Sequence, residues 1–98
     1  MKEYMIIVGL PEIFSPRFIS LIPEHRAVVN EMMNEGIILS YALAANRSNL
    51  WIVMSAKGEA EVLRNIARFP LARYMQPEIK ELMFQHSATF ILPEPSLN

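Results

Sequence analysis

The chain has 98 residues, a length that predicts a single domain with a modest core. Its 9 basic and 10 acidic side chains give a formal net charge of −1 with no basic stripe, so the charge pattern of a nucleic-acid binder is absent. The chain contains no cysteine, which excludes disulfides, thiolate nucleophiles and cysteine metal sites.

The first third of the chain predicts a strand followed by a helical region. Residues 4–10 are apolar and rich in β-branched side chains, which predicts strand one. Ser15-Pro16 predicts a helix start, because a serine hydroxyl can cap the helix and proline suits its first turn. Pro23 is expected to interrupt the helical pattern, leaving a short first helix or turn and a main helix over residues 23–35.

The rest of the chain predicts a hairpin, a second helix and a fourth strand. Residues 37–45 and 50–56 predict strands two and three, and the four polar residues between them predict an antiparallel connection. A second helix follows and ends at Phe69-Pro70, and residues 71–75 predict a short irregular turn of helix. Strand four is expected to begin at residue 76 or 78 and to run to residue 85.

This order of elements, β-α-β-β-α-β, predicts a ferredoxin-like α+β domain over residues 1–87. Such a domain has a four-stranded antiparallel sheet with both helices on one face. Residues 88–98 are expected to form a C-terminal arm, in which residues 89–92 add a short fifth strand before two prolines.

The predicted strands are apolar on both sides, although two helices can cover only one face of the sheet. Residues 5–8 and 50–54 are continuously apolar, and hydrophobic residues make up 52% of the chain. Strand two would place Leu39, Tyr41 and Leu43 on one side and Ile38, Ser40, Ala42 and Ala44 on the other. We therefore expect a homodimer in which a second copy covers the open face, with Tyr41 and Trp51 in the interface. A cover supplied by the C-terminal arm is the alternative.

His25 is the polar residue that breaks the apolar stripe of the main helix. It lies four positions before Val29 and seven before Met32, so it should point between helix and sheet. One interpretation is a core histidine bonded to a backbone carbonyl, with Arg26 at the edge of the stripe. The other is a proton donor or acceptor with a pKa near neutrality.

A second polar group follows helix two. Tyr74 could offer its hydroxyl to a ligand, and Arg73 could pair with a carboxylate, although either could be a plain surface residue and a surface position suits Arg73 better. His86 ends strand four, where a lone histidine is usually solvated.

Neither a metal nor a cofactor is expected. His25 and His86 lie 61 positions apart, and the glycines Gly9, Gly36 and Gly58 are not clustered as in a phosphate-binding loop. The N-terminal apolar run is too short for a signal peptide, and no stretch approaches the ~20 apolar residues of a membrane span. We therefore expect a cytoplasmic protein without a membrane partner.

Two groups of residues resemble known families. Residues 69–75, Phe-Pro-Leu-Ala-Arg-Tyr-Met, with a strand ending Gln85-His86-Ser87, look like the Pro-Leu-x-x-Tyr-Met and C-terminal Gln-His signature of muconolactone isomerase-like proteins. Pro23-Glu24-His25, followed by Gly36-Ile37-Ile38-Leu39, is similar to the YciI-like family, where a histidine on the first helix lines the pocket. Both families belong to the dimeric α+β barrel superfamily, and the resemblance covers about residues 20–87.

The resemblance implies a cofactor-free pocket between sheet and helices, and association into dimers or larger rings. YciI-like proteins pair their histidine with an aspartate just before the proline that follows helix two. In this chain Phe69 occupies that position, so the dyad is broken.

Two functional hypotheses follow. The first is a cofactor-independent enzyme that transfers a proton on a small anionic or aromatic metabolite, with His25 as acid or base and Arg26, Tyr74 or Arg73 binding the substrate. The second is a noncatalytic small-ligand-binding or assembly module with the same pocket. The polar residue on an apolar helix face favours the first, and the broken dyad favours the second.

Overall fold

The structure is a computed structural model that describes residues 1–87, so the predicted fifth strand at residues 89–92 lies outside the described residues. The elements are β1 (Lys2–Gly9), α1 (Pro16–Asn34), β2 (Ile38–Leu43), β3 (Asn49–Ala56), α2 (Glu59–Ile66), a 3-10 turn (Ala72–Tyr74) and β4 (Gln76–Glu81). This order confirms the predicted ferredoxin-like α+β fold.

The four strands form one antiparallel sheet in the order β2-β3-β1-β4. Ile6 in β1 lies opposite Ile52 in β3 and opposite Ile79 in β4, so the two most apolar strands occupy the centre. Pro77 lies in β4 at one edge of the sheet, where a residue without a backbone N–H is tolerated.

Both helices pack on the same face of the sheet, as the sequence predicts. Alternate residues of β1 and β3 meet buried residues of α1 and α2 in one hydrophobic cluster. The central members of this core are Ile6, Val8, Ile52, Met54, Met32 and Val62, each nearly inaccessible to solvent. The period-2 pattern of the strands and the helical spacing of the apolar residues therefore converge on one layer.

Helix α1 is continuous over Pro16–Asn34, so the predicted interruption of the helix at Pro23 is wrong. The predicted start is confirmed, because the Ser15 Oγ accepts a hydrogen bond from the Phe18 backbone N–H at 3.1 Å. Proline within a helix removes one backbone hydrogen bond. Phe18 and Met32, on either side of Pro23, are both buried in the core, and this packing holds the two halves of the helix in line.

A β-bulge in β2 changes which side chains face the helices. The register shifts between Ile38 and Ser40, so Leu39 is the additional residue. Pairing with β3 puts Ile38, Tyr41 and Leu43 on the helix face. The prediction that Ile38 and Tyr41 lie on opposite faces of the strand is wrong, because the extra residue reverses the alternation of side chains that follows it. Tyr41 consequently faces α1 and not the expected dimer interface.

Strand β4 ends at Glu81, four residues before the predicted end. Tyr4 pairs with Glu81, and the Leu82 N–H donates to the Glu3 carbonyl at 2.8 Å. Beyond this point β1 has almost no residues left to pair with. The start of β1 therefore limits the length of β4, although the strand-like sequence pattern of β4 continues to residue 85.

The face of the sheet opposite the helices, called here the open face, is apolar at its centre. It carries Met5 and Ile7 of β1, and Trp51 and Val53 of β3. Trp51 is 41% exposed in the single chain. No helix within residues 1–87 covers this face, and none of those helices has the length and apolar character needed to span a bilayer.

The two faces lead to a paired prediction for a charge introduced at the centre of the sheet. Ile52 is fully buried under the helices, so Ile52→Lys should unfold the domain, because an unpaired buried charge is costly. Ile7 lies on the open face, so Ile7→Lys should keep the fold and reduce self-association. Circular dichroism reports folding, and light scattering at micromolar concentration reports mass. A folded monomer of the unmodified chain would contradict the expected homodimer.

Candidate functional site

A cleft of about 910 Å3 opens between α1, the loop before it and the β2–β3 hairpin. This volume suits a small organic molecule. Much of its lining is apolar, and Ile19 and Leu43 remain 54% and 51% exposed in it. The polar side chains in the lining are Glu12, His25, Arg26, Tyr41, Asn46 and Arg47.

His25 and Tyr41 form the polar centre of the cleft wall. His25 lies on the inner face of α1 and is only 4% exposed, as its spacing predicts. The bulge in β2 turns Tyr41 towards it, and the His25 Nε2 and Tyr41 Oη atoms are 2.9 Å apart. Sequence reasoning identified His25 but missed Tyr41, because strict alternation along β2 gives no sign of an extra residue.

The surroundings of His25 keep its imidazole neutral. Burial lowers the pKa of His25 from 6.5 to about 4, so the predicted pKa near neutrality is wrong. The ring of Phe69 lies 5.1 Å from the imidazole between centroids, at an interplanar angle of 59°. The Nδ1 atom is buried and has no hydrogen-bond partner within residues 1–87.

Tyr41 is also neutral at physiological pH. Burial raises the pKa of Tyr41 to about 12, and the positive charge of Arg26 partly opposes this rise. The pair therefore holds two neutral groups, each able to donate or accept a proton. At 2.9 Å, either the Tyr41 hydroxyl donates to Nε2 or an Nε2–H donates to the Tyr41 oxygen.

Two arginines give the cleft a positive character. Arg26 is exposed on α1 beside His25, and Arg47 lies in the β2–β3 hairpin. The guanidinium carbon of Arg47 is 5.6 Å from the centroid of the Phe14 ring. Neither arginine forms an ion pair within residues 1–87, and Glu12 is the one carboxylate in the lining. Sequence reasoning treated Arg47 as part of a polar turn, so its position in the cleft was missed.

A smaller depression of about 280 Å3 lies beside the cleft along α1. His25, Arg26 and Tyr41 border both spaces, and Asn30 and Met33 border only the smaller one. The His25–Tyr41 pair therefore lies where the two spaces approach each other.

The structure does not bring Arg73 and Tyr74 into the lining of the cleft. The ring of Tyr74 packs edge-on against Phe18 at 5.2 Å, and Phe18 itself lines the cleft. The guanidinium carbon of Arg73 lies 5.8 Å from the Tyr74 ring. Tyr74 thus contacts a lining residue and not the cleft, and His86 is exposed beyond β4. Arg73 and Tyr74 follow Phe69 closely in the sequence, but this closeness does not show whether their side chains reach the cleft.

No group of three or more histidine, aspartate or glutamate side chains within residues 1–87 is arranged to hold a metal ion.

Comparison with known proteins does not add a family assignment, because no protein-family model and no curated protein matches the chain. The resemblance to dimeric α+β barrel proteins stays a prediction.

His25→Ala should lower the free energy of unfolding by ~1–3 kcal/mol at pH 7, because it removes a buried ring and leaves the Tyr41 hydroxyl unpaired. The difference from the unmodified protein should shrink as the pH falls from about 6.5 towards about 4. In that range the unfolded imidazole takes up a proton before the folded one does, so protonation destabilises only the unmodified protein. Urea unfolding at several pH values measures both effects.

His86→Ala is the matched control, since His86 is exposed outside the cleft. A loss of stability that does not change between pH 7 and pH 4 would contradict a buried neutral imidazole.

Proposed function

We propose that the chain is a cofactor-independent enzyme that transfers a proton on a small anionic or aromatic metabolite bound in the cleft. The observation that supports this best is the hydrogen bond between His25 and Tyr41 in the wall of an apolar cleft that also carries arginines. A group that can exchange a proton, a positive charge and an apolar surface are the parts that such a reaction requires.

The proton reaches His25 through Tyr41. His25 is almost fully buried, whereas Tyr41 is half-buried and faces the same cleft. The substrate C–H bond breaks as its proton passes to the Tyr41 oxygen, and the Tyr41 hydroxyl proton passes to the His25 Nε2. The electron pair stays on the substrate as an enolate-type anion, and Tyr41 ends the step neutral.

Arg26 provides the opposite charge for this anion. Its guanidinium is close enough to act electrostatically on the Tyr41 phenol, which is the group that meets the substrate. The negative charge formed on the substrate would favour protonated His25, so proton transfer and charge formation support each other. Return of the proton to a different carbon would complete an isomerisation.

A noncatalytic small-ligand-binding or assembly module is the second candidate. The feature that favours it is the apolar ring of Phe69 against His25, together with a pKa of about 4 for His25, which makes the empty site a weak base. In this case the His25–Tyr41 pair would hold α1 to β2, and the cleft would only bind.

The proposal includes a cytoplasmic homodimer, or a larger ring of such dimers. It is supported by the apolar centre of the open face, which two helices on the opposite side leave uncovered within residues 1–87. An exposed apolar patch of this kind commonly marks a protein–protein interface.

Hydrogen exchange on small carbonyl acids tests the reaction. A panel of acids with C–H bonds next to a carbonyl is incubated in D2O, and loss of the C–H signals is followed by proton NMR. We expect exchange with the unmodified protein, and a rate at least ~100-fold lower for His25→Gln and for Tyr41→Phe, which is the usual scale of general acid–base catalysis. His86→Gln should exchange at the unmodified rate.

The outcomes separate the two candidates. Exchange that is equally fast in His25→Gln would show that His25 does not carry the proton. Acids that bind in the cleft but exchange no faster than in buffer would support the noncatalytic module.

A further inference from the structure

We propose that Arg47 binds a carboxylate at the end of the cleft away from the His25–Tyr41 pair, so that the ligand is a small carboxylic acid with an apolar, ring-sized body. This inference rests on the proposed function, because it names the substrate class of the same cleft. Arg47 would then determine specificity without taking part in the proton transfer.

The hairpin holds Arg47 in a defined position. The Arg47 N–H donates to the Ala44 carbonyl at 2.8 Å, and the Asn46 Oδ1 accepts hydrogen bonds from the Ser48 N–H at 3.0 Å and from the Ser48 hydroxyl at 2.7 Å. The backbone of Arg47 has a φ of 63°, which is unfavourable for a residue with a long side chain. Glycine or asparagine would fit this conformation better, so the turn alone does not explain an arginine here.

The side chain of Arg47 is supported by an aromatic wall. Its guanidinium carbon lies 5.6 Å from the Phe14 centroid, and Phe14 stacks on Phe18 at 4.1 Å. A cation on an aromatic face is attracted to the ring, while its N–H groups remain able to form two parallel bonds to a carboxylate. Since Arg47 has no ion pair within residues 1–87, this capacity is not used by a neighbouring acid of that part of the chain.

The charges of the lining favour a single carboxylate. Within residues 1–87, Arg26 and Arg47 contribute two positive charges to the lining and Glu12 one negative charge, which leaves one positive charge for a ligand to balance. The two arginines lie at different places, because Arg26 borders the smaller depression with Tyr41 and Arg47 does not. From Phe18, whose ring stacks on Phe14, to His25, the partner of Tyr41, is seven residues of α1, or ~10 Å along the helix axis.

This separation sets the form of the ligand. A carboxylate at Arg47 and a reacting carbon beside Tyr41 have to be joined by a body about as long as a ring with a short chain. The exposed apolar side chains of Ile19 and Leu43 line the space in which that body would lie. A ligand that covers these two side chains buries apolar surface, which is favourable. A compact acid such as acetate is too small to cover either of them.

Binding of a matched pair of probes tests the assignment. 3-Phenylpropionate and 3-phenylpropanamide have nearly the same shape and differ in charge, and each is titrated into the protein by calorimetry. We expect the unmodified protein to bind the carboxylate at least ~10-fold more tightly than the amide, as a charge-assisted bidentate contact would give. Arg47→Gln should remove this preference, and Arg47→Lys should retain part of it. Arg17→Gln, an exposed position on α1 outside the lining, should leave it unchanged.

Each contrary result has a distinct meaning. Equal binding of the two probes by the unmodified protein, or no binding of either at millimolar concentration, would overturn the inference. A preference that survives Arg47→Gln but disappears in Arg26→Gln would also overturn it, and would leave the proton transfer standing. A preference that depends on Arg47, with no C–H exchange in D2O, would retain the carboxylate site and overturn the proton transfer.

Discussion

The hydrogen bond between His25 and Tyr41 links the two parts of the molecule on which the site depends. One partner is on α1 and the other on β2, and the 2.9 Å contact brings the helix and the edge strand together at the wall of the cleft. The contact exists because the bulge at Leu39 turns Tyr41 to the helix face. Without this extra residue the phenol would lie on the open face, and the buried imidazole would lack its partner.

This arrangement has an energetic cost that a purely structural core would avoid. The His25 Nδ1 is buried and has no hydrogen-bond partner within residues 1–87. Burial of an unsatisfied polar atom typically costs ~1–3 kcal/mol. An apolar residue at this place on the stripe would pack beside Phe69 without that cost. A site that sacrifices stability for a polar group next to a cleft is consistent with a functional role, as natural proteins commonly show.

Much of the fold was predictable because it depends on local patterns. The apolar strands, the Ser15-Pro16 start and the polar hairpin turn each have a local physical cause. The wrong predictions concern tertiary effects, namely packing on both sides of Pro23 and the limited length of β1 beside β4. In the site, the burial of His25 followed from helical spacing. Tyr41 and Arg47 were missed, because a bulge and the direction of a turn residue leave no periodic signal.

The pKa of His25 in the folded protein is the most direct test of this account. His86→Gln leaves one histidine, and its imidazole proton signals can be titrated by NMR. We predict a pKa of about 4 for His25 in the folded protein, because burial disfavours the charged ring. A pKa close to 6.5 would contradict a buried, neutral imidazole in the cleft wall.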